Sequence, residues 1–273
     1  MKILVFGARG YIAGHIRSIY PDAVYVDIDI ADALKVAKVL STEKPDVVIN
    51  TAGKTGRPNV DWCEDHKSET LLANVVGPLV LVKECMERGI RFVHVGSGCI
   101  YSGDNGGKGW TEEDPPNFFG SFYARSKAWS DAMLREFPVL QVRIRMPFDG
   151  TKHPRNLIMK LAKYTKVLDE QNSLTYIPDF LLALQSLIER KASGTYNIVN
   201  AGTISPYQVM QRYRAIVDPN IAFEHLSLND LPGVVKAGRS NCTLSAKKLV
   251  SEGIILPSVT QAIEKAMKDI ARL

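Results

Sequence analysis

Tyr123 and Lys127 stand four residues apart in the segment Tyr-Ala-Arg-Ser-Lys, a spacing that places both side chains on one face of a helix. An ammonium beside a phenol lowers the phenol's pKa from ~10, readying it to give or take a proton near neutral pH. Ser97, just after the apolar run 91–95 (RFVHV), is placed to hydrogen-bond the same carbonyl oxygen. A second constellation opens the chain, where Gly7-Ala-Arg-Gly-Tyr-Ile-Ala-Gly14 follows an apolar run and begins a helical pattern. There Gly7 permits a tight turn, Gly10 lets the backbone approach a pyrophosphate and Ala13 keeps helix and strand close. Tyr11 and Ile12 then belong to a helix start whose free N–H groups and positive dipole end favour phosphate. The expected ligand is a nicotinamide dinucleotide. Asp27 and Asp29, at the end of the next β-rich run with Ile30 beside them, suit the ribose hydroxyls of NADH. Arg9, inside the glycine loop, suits the 2′-phosphate of NADPH. The residues leave both cofactors open. Thr51, Ala52 and Gly53, after the third β-rich run, are expected to line the cofactor too.

Those side chains need a scaffold, and the hydrophobic pattern describes one. Apolar runs at 2–6, 23–27, 46–50, 91–95 and 139–145 alternate with helical stretches at 11–19, 31–41, 67–88 and 121–136. Strands alternating with helices predict an α/β fold, a Rossmann-type doubly wound parallel sheet with both faces covered. Beyond position 147 the pattern loosens. Helices are expected at about 157–164, 179–190, after Ser205-Pro206 and after Pro257-Ser258, with a strand at 195–200 rejoining the sheet. We therefore expect an NAD(P)-binding domain over 1–148, joined again by 179–203. A small interwoven C-terminal substrate lobe then spans 149–178 and 204–273.

The chain has 273 residues, 45% of them apolar, with 34 Lys plus Arg against 29 Asp plus Glu. The net charge of +5 comes with no basic run, which argues against nucleic-acid binding. No apolar run reaches the ~18 residues of a membrane span, and the N-terminal stretch reads as a strand rather than a signal peptide. Four scattered cysteines (63, 85, 99 and 242) and five unclustered histidines suggest a reduced, cytoplasmic protein without a metal site.

The glycine loop, the strand-end Ser97 and the Tyr123/Lys127 pair, in this order, resemble the extended short-chain dehydrogenase/reductases, which act mostly on nucleotide sugars. Longer strings narrow the resemblance. TAGKTGRPNVDWCE (51–64), His66-Lys67, Glu69-Thr70, GCIY (98–101), PNFFGSFY (116–123), RIRMP (143–147) and PRN (154–156) are similar to the plant-type nucleotide-rhamnose synthases. Agreement is weaker through RSN (239–241). That family converts an NDP-4-keto-6-deoxyglucose to NDP-L-rhamnose, epimerising C3 and C5 and reducing C4.

The resemblance implies further roles. A C4 ketone acidifies the C–H bonds at C3 and C5, and the enolate oxygen needs donors, which Tyr123 and Ser97 supply. Cys99, two residues after Ser97, projects to the same side, and its thiol suits proton traffic in electropositive surroundings. Lys160 matches the family's partner acid/base and needs its pKa lowered by burial or neighbouring cations. Simple 4-ketosugar reductases of this superfamily carry Asp and Tyr where this chain has Gly98 and Cys99, which favours bifunctionality. The absence of a carboxylate there disfavours dehydration. Arg57, Asn59, Asn156, Arg239 and Asn241 are candidates for contacts to the sugar or its diphosphate. A two-fold dimer through helices 67–88 and 121–136 is possible in this superfamily. The nucleotide, UDP or dTDP, stays open. The alternatives are a monofunctional dTDP-4-dehydrorhamnose reductase, a GDP-L-fucose-synthase-like epimerase/reductase and a non-catalytic Rossmann regulatory subunit.

Overall fold

The computed structural model describes residues 1–233 and 235–273. Its first half runs β1 (Ile3–Phe6), α1 (Tyr11–Ile16), β2 (Val24–Val26), α2 (Ala33–Glu43), β3 (Val47–Asn50), α3 (Trp62–Asp65), α4 (Lys67–Leu71), α5 (Gly77–Glu87), β4 (Arg91–Ser97), α6 (Phe122–Leu134) and β5 (Leu140–Ile144). The second half continues with α7 (Leu157–Leu161), β6 (Lys166–Leu168), α8 (Ile177–Glu189), β7 (Gly194–Asn197), α9 (Pro206–Ile216), β8 (Glu224–Leu226), α10 (Lys247–Ser251) and α11 (Val259–Ala271). Six strands form one parallel sheet in the order β2-β1-β3-β4-β5-β7. The fold is the Rossmann-type doubly wound sheet that the alternating pattern predicts.

Side-chain alternation explains why the strands are apolar throughout. Val5, Val93 and Val142 face α1 and α8, where Ile16, Phe180 and Leu184 cover them. Leu4, Phe6, Val48 and Phe92 face the other way onto Val36, Leu40, Leu81 and Cys85 of α2 and α5. The chain leaves β1 toward β2 on one side and returns to β3 on the other. The loops after β1 and β3 therefore diverge and open a crevice at the carboxyl ends of the strands, the ligand position of such sheets.

A separate core unites Phe148, Ile158, Leu174, Tyr176, Met210, Ile263 and Met267. The two-stranded parallel pair β6-β8 sits in this lobe and was not foreseen, because three-residue strands leave no periodicity to read. Leu249, with Ile254 and Leu256 beside it, packs into the sheet core instead, so the chain crosses back once more before α11. Capping boxes at Ser205 and Ser258 start α9 and α11 where the sequence places them.

The predicted helix 67–88 is interrupted. Leu72–Val76 form a π-helical turn between α4 and α5. Pro78 has no N–H to offer the carbonyl four residues back, and the widened turn relieves the mismatch. Ile30, expected beside the cofactor, is instead 3% exposed in the core, and a Cβ on Gly77 would lie 2.4 Å from its side chain. Its side chain holds α5 against the sheet.

Candidate active site

The loop after β1 is built for close approach. Gly7 has φ +87°, and a Cβ on it would sit 2.7 Å from the Ala52 nitrogen, so a side chain here meets both strain and backbone. The Gly7 and Ala8 N–H groups both donate to the Val26 carbonyl, at 3.1 Å each, tying the loop to β2. Gly10 is the exposed N-cap of α1 with no side-chain cap, which leaves the first N–H groups of that helix, on Tyr11, Ile12 and Ala13, without intrahelical acceptors. Ala13 is fully buried against the sheet. This cradle fits a dinucleotide pyrophosphate. Arg9 and Asp27, which the sequence sets against each other as NADPH and NADH signals, form an ion pair at the loop's outer edge. Asp29 is engaged locally, its Oδ1 accepting from the Ala31 N–H at 3.0 Å.

The loop after β3 forms the opposite wall. Thr51 Oγ1 donates to the Phe6 carbonyl (2.7 Å), and the Ala52 N–H donates to Asn50 Oδ1 (3.0 Å). Asn50 Nδ2 lies 3.1 Å from His94 Nδ1, and burial pushes the imidazole well below its ordinary pKa, so the neutral ring accepts that bond. Gly53 is exposed, and a Cβ on it would come within 3.1 Å of Asn74 Oδ1 and 3.4 Å of Lys127 Nζ. Asn74, in the π turn, also accepts from the Lys54 N–H and donates to Ser126 Oγ (3.1 Å). It thereby clamps the β3 loop to α6.

Ser97 ends β4, and its Oγ accepts the Cys99 N–H at 3.1 Å. Ser121 caps α6 by accepting from the Ala124 N–H, and this start brings Tyr123 and Lys127 into the interior. Burial pushes the Tyr123 phenol above its ordinary pKa, and negative charge on Cys99 adds to this, while the hydrogen bond with Ser97 and the Arg145 guanidinium oppose it. The expected lowering by Lys127 is therefore not found, because burial dominates. The perturbed cation is Lys127 itself, lowered by burial from 10.5 to about 8, with Cys99 and Asp131 opposing.

That direction carries a stability consequence. Between about 8 and 10.5 the unfolded chain binds this proton more tightly than the folded one. The cost of burying the charge is thus full at pH 7 and fades as pH rises through that window. Lys127→Met is expected to raise stability at pH 7 by roughly 1–3 kcal/mol. Urea unfolding would read this, and the gain should shrink toward pH 10. An equal gain at both pH values would assign it to packing.

Lys160 lies on α7 in the lobe, and among the described residues no hydrogen bond or ion pair links it to Tyr123 or Cys99. Burial first, and then the Arg155 charge, lower its pKa, the condition the resemblance requires. Arg155 Nη1 donates to Thr55 Oγ1 at 2.7 Å, bringing this part of the lobe against the loop after β3. Arg57 lies exposed in the same loop.

Four candidate substrate contacts are engaged, wholly or in part, within the chain. Asn156 is fully buried as the N-cap of α7, its amide donating to Asp149 and Thr151 oxygens and its Oδ1 accepting from the Ile158 N–H. With its donors and acceptor used internally, it builds the lobe rather than facing a sugar. Arg239 makes a two-pronged pair with Asp61, at 2.8 and 3.1 Å, and donates to the Ala237 carbonyl. It fastens the 237–239 segment over α3 and is not a free phosphate fork. Asn59 Oδ1 accepts from the Asp61 N–H (2.9 Å), and Asn241 Oδ1 accepts from Asn172 Nδ2 (3.2 Å).

Sequence reasoning passed over Asn74 and Arg145. Their signals were present: a polar residue inside the apolar LLANVV, and a second arginine closing an otherwise buried strand. Arg145 is buried just past β5, and its Nη1 lies 2.8 Å from Cys99 Sγ.

Comparisons with known proteins show the family. The chain is 36% identical over 97% of its length to the bifunctional dTDP-4-dehydrorhamnose 3,5-epimerase/dTDP-4-dehydrorhamnose reductase of Arabidopsis thaliana, covering 91% of that protein. A longer trifunctional UDP-glucose 4,6-dehydratase/UDP-4-keto-6-deoxy-D-glucose 3,5-epimerase/UDP-4-keto-L-rhamnose-reductase of the same plant matches at 35% identity over 97% of the chain, which spans 41% of it. Among solved structures, the L780 UDP-rhamnose synthase of Acanthamoeba polyphaga mimivirus superposes with a TM-score of 0.92 at 31% identity, over 98% of this chain and 99% of that one. A Bacillus anthracis dTDP-4-dehydrorhamnose reductase in complex with NADP shares the fold at a TM-score of 0.83 and 19% identity, over 97% and 98% of the two chains. A model of the RmlD substrate binding domain matches residues 1–271, and the chain belongs to that family.

Proposed function

We propose that this chain is a bifunctional 3,5-epimerase/4-reductase that converts an NDP-4-keto-6-deoxyglucose to NDP-L-rhamnose with NAD(P)H. The observation that carries the reading is the placement of Cys99 in one pocket with Ser97, Tyr123 and Lys127, its sulfur against a buried guanidinium. The epimerase/reductase relatives support it. When bound, the nicotinamide would supply the hydride for C4. Gly7, Gly10 and the start of α1 hold the pyrophosphate, and the loop at Thr51, Ala52 and Gly53 borders the crevice. Ser97 and Tyr123 donate hydrogen bonds to the C4 oxygen, first as an enolate oxygen and later as the alkoxide that takes the Tyr123 proton. Cys99 and Lys160 work on opposite faces of the ring, one removing a proton and the other returning one. The lobe built around Phe148, Ile158, Met210 and Ile263 closes the sugar side.

Helices α4 to α6 leave Leu71, Leu72, Trp129 and Met133 exposed, and a second copy covering them makes a two-fold dimer, readable by light scattering. Four free cysteines suit a reducing, cytoplasmic setting. No helix among the described residues is long and apolar enough to cross a membrane.

Offering UDP- and dTDP-4-keto-6-deoxyglucose and GDP-4-keto-6-deoxymannose in turn, with NADPH or NADH, tests the assignment by loss of nicotinamide absorbance. Oxidation with a glucose-series substrate is expected. Oxidation only with the mannose-series substrate would move the chain to the fucose-type reaction, and none with any would make it a non-catalytic subunit. Gly10→Val is expected to abolish cofactor binding, read by calorimetry, because its branched side chain occupies the pyrophosphate's approach. Its Cβ also comes 3.0 Å from the Gly7 carbonyl oxygen, so circular dichroism is read alongside to show the variant folded. A folded variant with unchanged affinity would place the cofactor elsewhere.

A further inference from the structure

The chain buries two arginines two residues apart near the end of β5, and it neutralises only one. Arg143 is met by Asp131 through two bonds of 2.7 Å, Nε to Oδ2 and Nη2 to Oδ1. Arg145 is 3% exposed, and among the described residues no carboxylate pairs with it. Its Nη1 reaches Cys99 Sγ at 2.8 Å, while Nη2 donates to Asn172 Oδ1 and to the Ser240 carbonyl, and Nε has no partner. A guanidinium stays charged in a protein, and a buried one without a counter-ion costs several kcal/mol. Such an arrangement persists where a negative charge is due to arrive.

We propose that Arg145 is a positioning residue for epimerisation: it fixes the Cys99 sulfur in the pocket and carries the counter-charge for the thiolate that removes the ring proton. The inference rests on the epimerase/reductase reading for its chemistry and on the Cys99–Arg145 contact for its geometry. A guanidinium can only donate, so the sulfur is the acceptor in that contact, with its lone pair aimed at Arg145. In the step, the C–H bond at C3 or C5 breaks and its electron pair enters the enolate, whose oxygen Ser97 and Tyr123 stabilise. The proton forms an S–H bond with Cys99, and Lys160 delivers a proton to the other face. Arg145 loses its partner charge at that moment, and Asn172 and the Ser240 carbonyl keep it in place.

The charged and titratable groups around Cys99 come from every element packed on it. They are Tyr123 and Lys127 on α6, Arg145 past β5 and Cys242 on the segment crossing from the lobe. Burial alone would lower the Arg145 pKa, and the two sulfurs of Cys99 and Cys242 outweigh it and raise the value. Burial also raises the Cys242 thiol, with the Arg145 guanidinium opposing it, and the sulfur that Arg145 Nη1 meets at 2.8 Å is that of Cys99.

The test is the pH dependence of Cys99 alkylation by iodoacetamide in the full chain, with Cys99→Ser subtracted as background. The other three cysteines are buried. Replacing the charge, by Arg145→Met or the hydrogen-bonding but neutral Arg145→Gln, is expected to raise the alkylation midpoint by about one pH unit or more. Arg145→Lys, which keeps the charge, should stay nearer the wild type. Solvent-deuterium incorporation at C3 and C5 at pH 7 should fall at least about tenfold in the neutral variants. Reduction of an already epimerised substrate should change far less. Should Arg145→Met fail to fold, Arg145→Gln decides. Unchanged midpoints in a folded neutral variant would overturn the proposal. Shifted midpoints in a wild-type chain that exchanges no deuterium would leave the Arg145–Cys99 coupling standing and remove the epimerase reading instead.

Discussion

Tyr123→Phe is expected to lower the rate of C4 reduction by about 10²–10⁴-fold, with cofactor affinity within a few fold of wild type. The Tyr123 phenol is a far stronger acid than the Ser97 hydroxyl that hydrogen-bonds it, so Ser97 cannot take over proton delivery. Burial holds the Tyr123 phenol above its ordinary pKa, so it stays protonated across the neutral range and is ready to donate. Removing one oxygen changes packing little, because the ring still fills its site. Single-turnover absorbance with a pre-epimerised 4-ketosugar measures the effect. A loss of less than tenfold would mean that another acid, with Lys127 the first candidate, supplies the proton.

The second large effect is expected at Cys99. Cys99→Ser should reduce solvent-deuterium incorporation at C3 and C5 by about 10²-fold or more, since a thiol can supply a thiolate as the base whereas a serine hydroxyl does not ionise in the neutral range. The same variant should still reduce a substrate that another enzyme has already epimerised. The two variants separate the half-reactions. Tyr123→Phe impairs reduction and weakens enolate stabilisation, whereas Cys99→Ser impairs exchange alone. Nuclear magnetic resonance of the recovered sugar in deuterium oxide reads both positions. Exchange at the wild-type rate would reduce Cys99 to a packing residue and require another base. No exchange in the wild type would make the chain a plain reductase dependent on a separate epimerase.

The sheet and the helices covering it were legible because their information is local. Four consecutive buried residues in β1 and in β3 announce strands covered on both faces, and Ser-Pro and Pro-Ser pairs announce the starts of α9 and α11. The glycine loop was legible for the same reason, since Gly7 and Gly10 are required by the turn they occupy. Substrate contacts were harder. Asn156 and Arg239 have the right chemical types for a sugar and a diphosphate, yet their polar atoms are used by Asp149 and Asp61. Residue type states what a side chain can bind. It does not state what reaches it first.

By itself, then, the sequence determined the parallel sheet, the cofactor loop, the Ser97, Tyr123 and Lys127 set and the position of Cys99 beside it, all within runs of a few residues whose spacing controls direction. Only the tertiary structure decided the electrostatics of that set. Lys127 rather than Tyr123 has the lowered pKa, because desolvation depends on what covers a group from distant parts of the chain. Likewise Asn74 reaches the β3 loop only through a π turn, and Arg145 meets Cys99 across 46 residues of sequence. Arg9 and Asp27 are 18 positions apart and form one pair because β1 and β2 lie side by side. Contacts between strand ends are set by sheet order, and sheet order follows from which apolar faces bury one another over the whole fold.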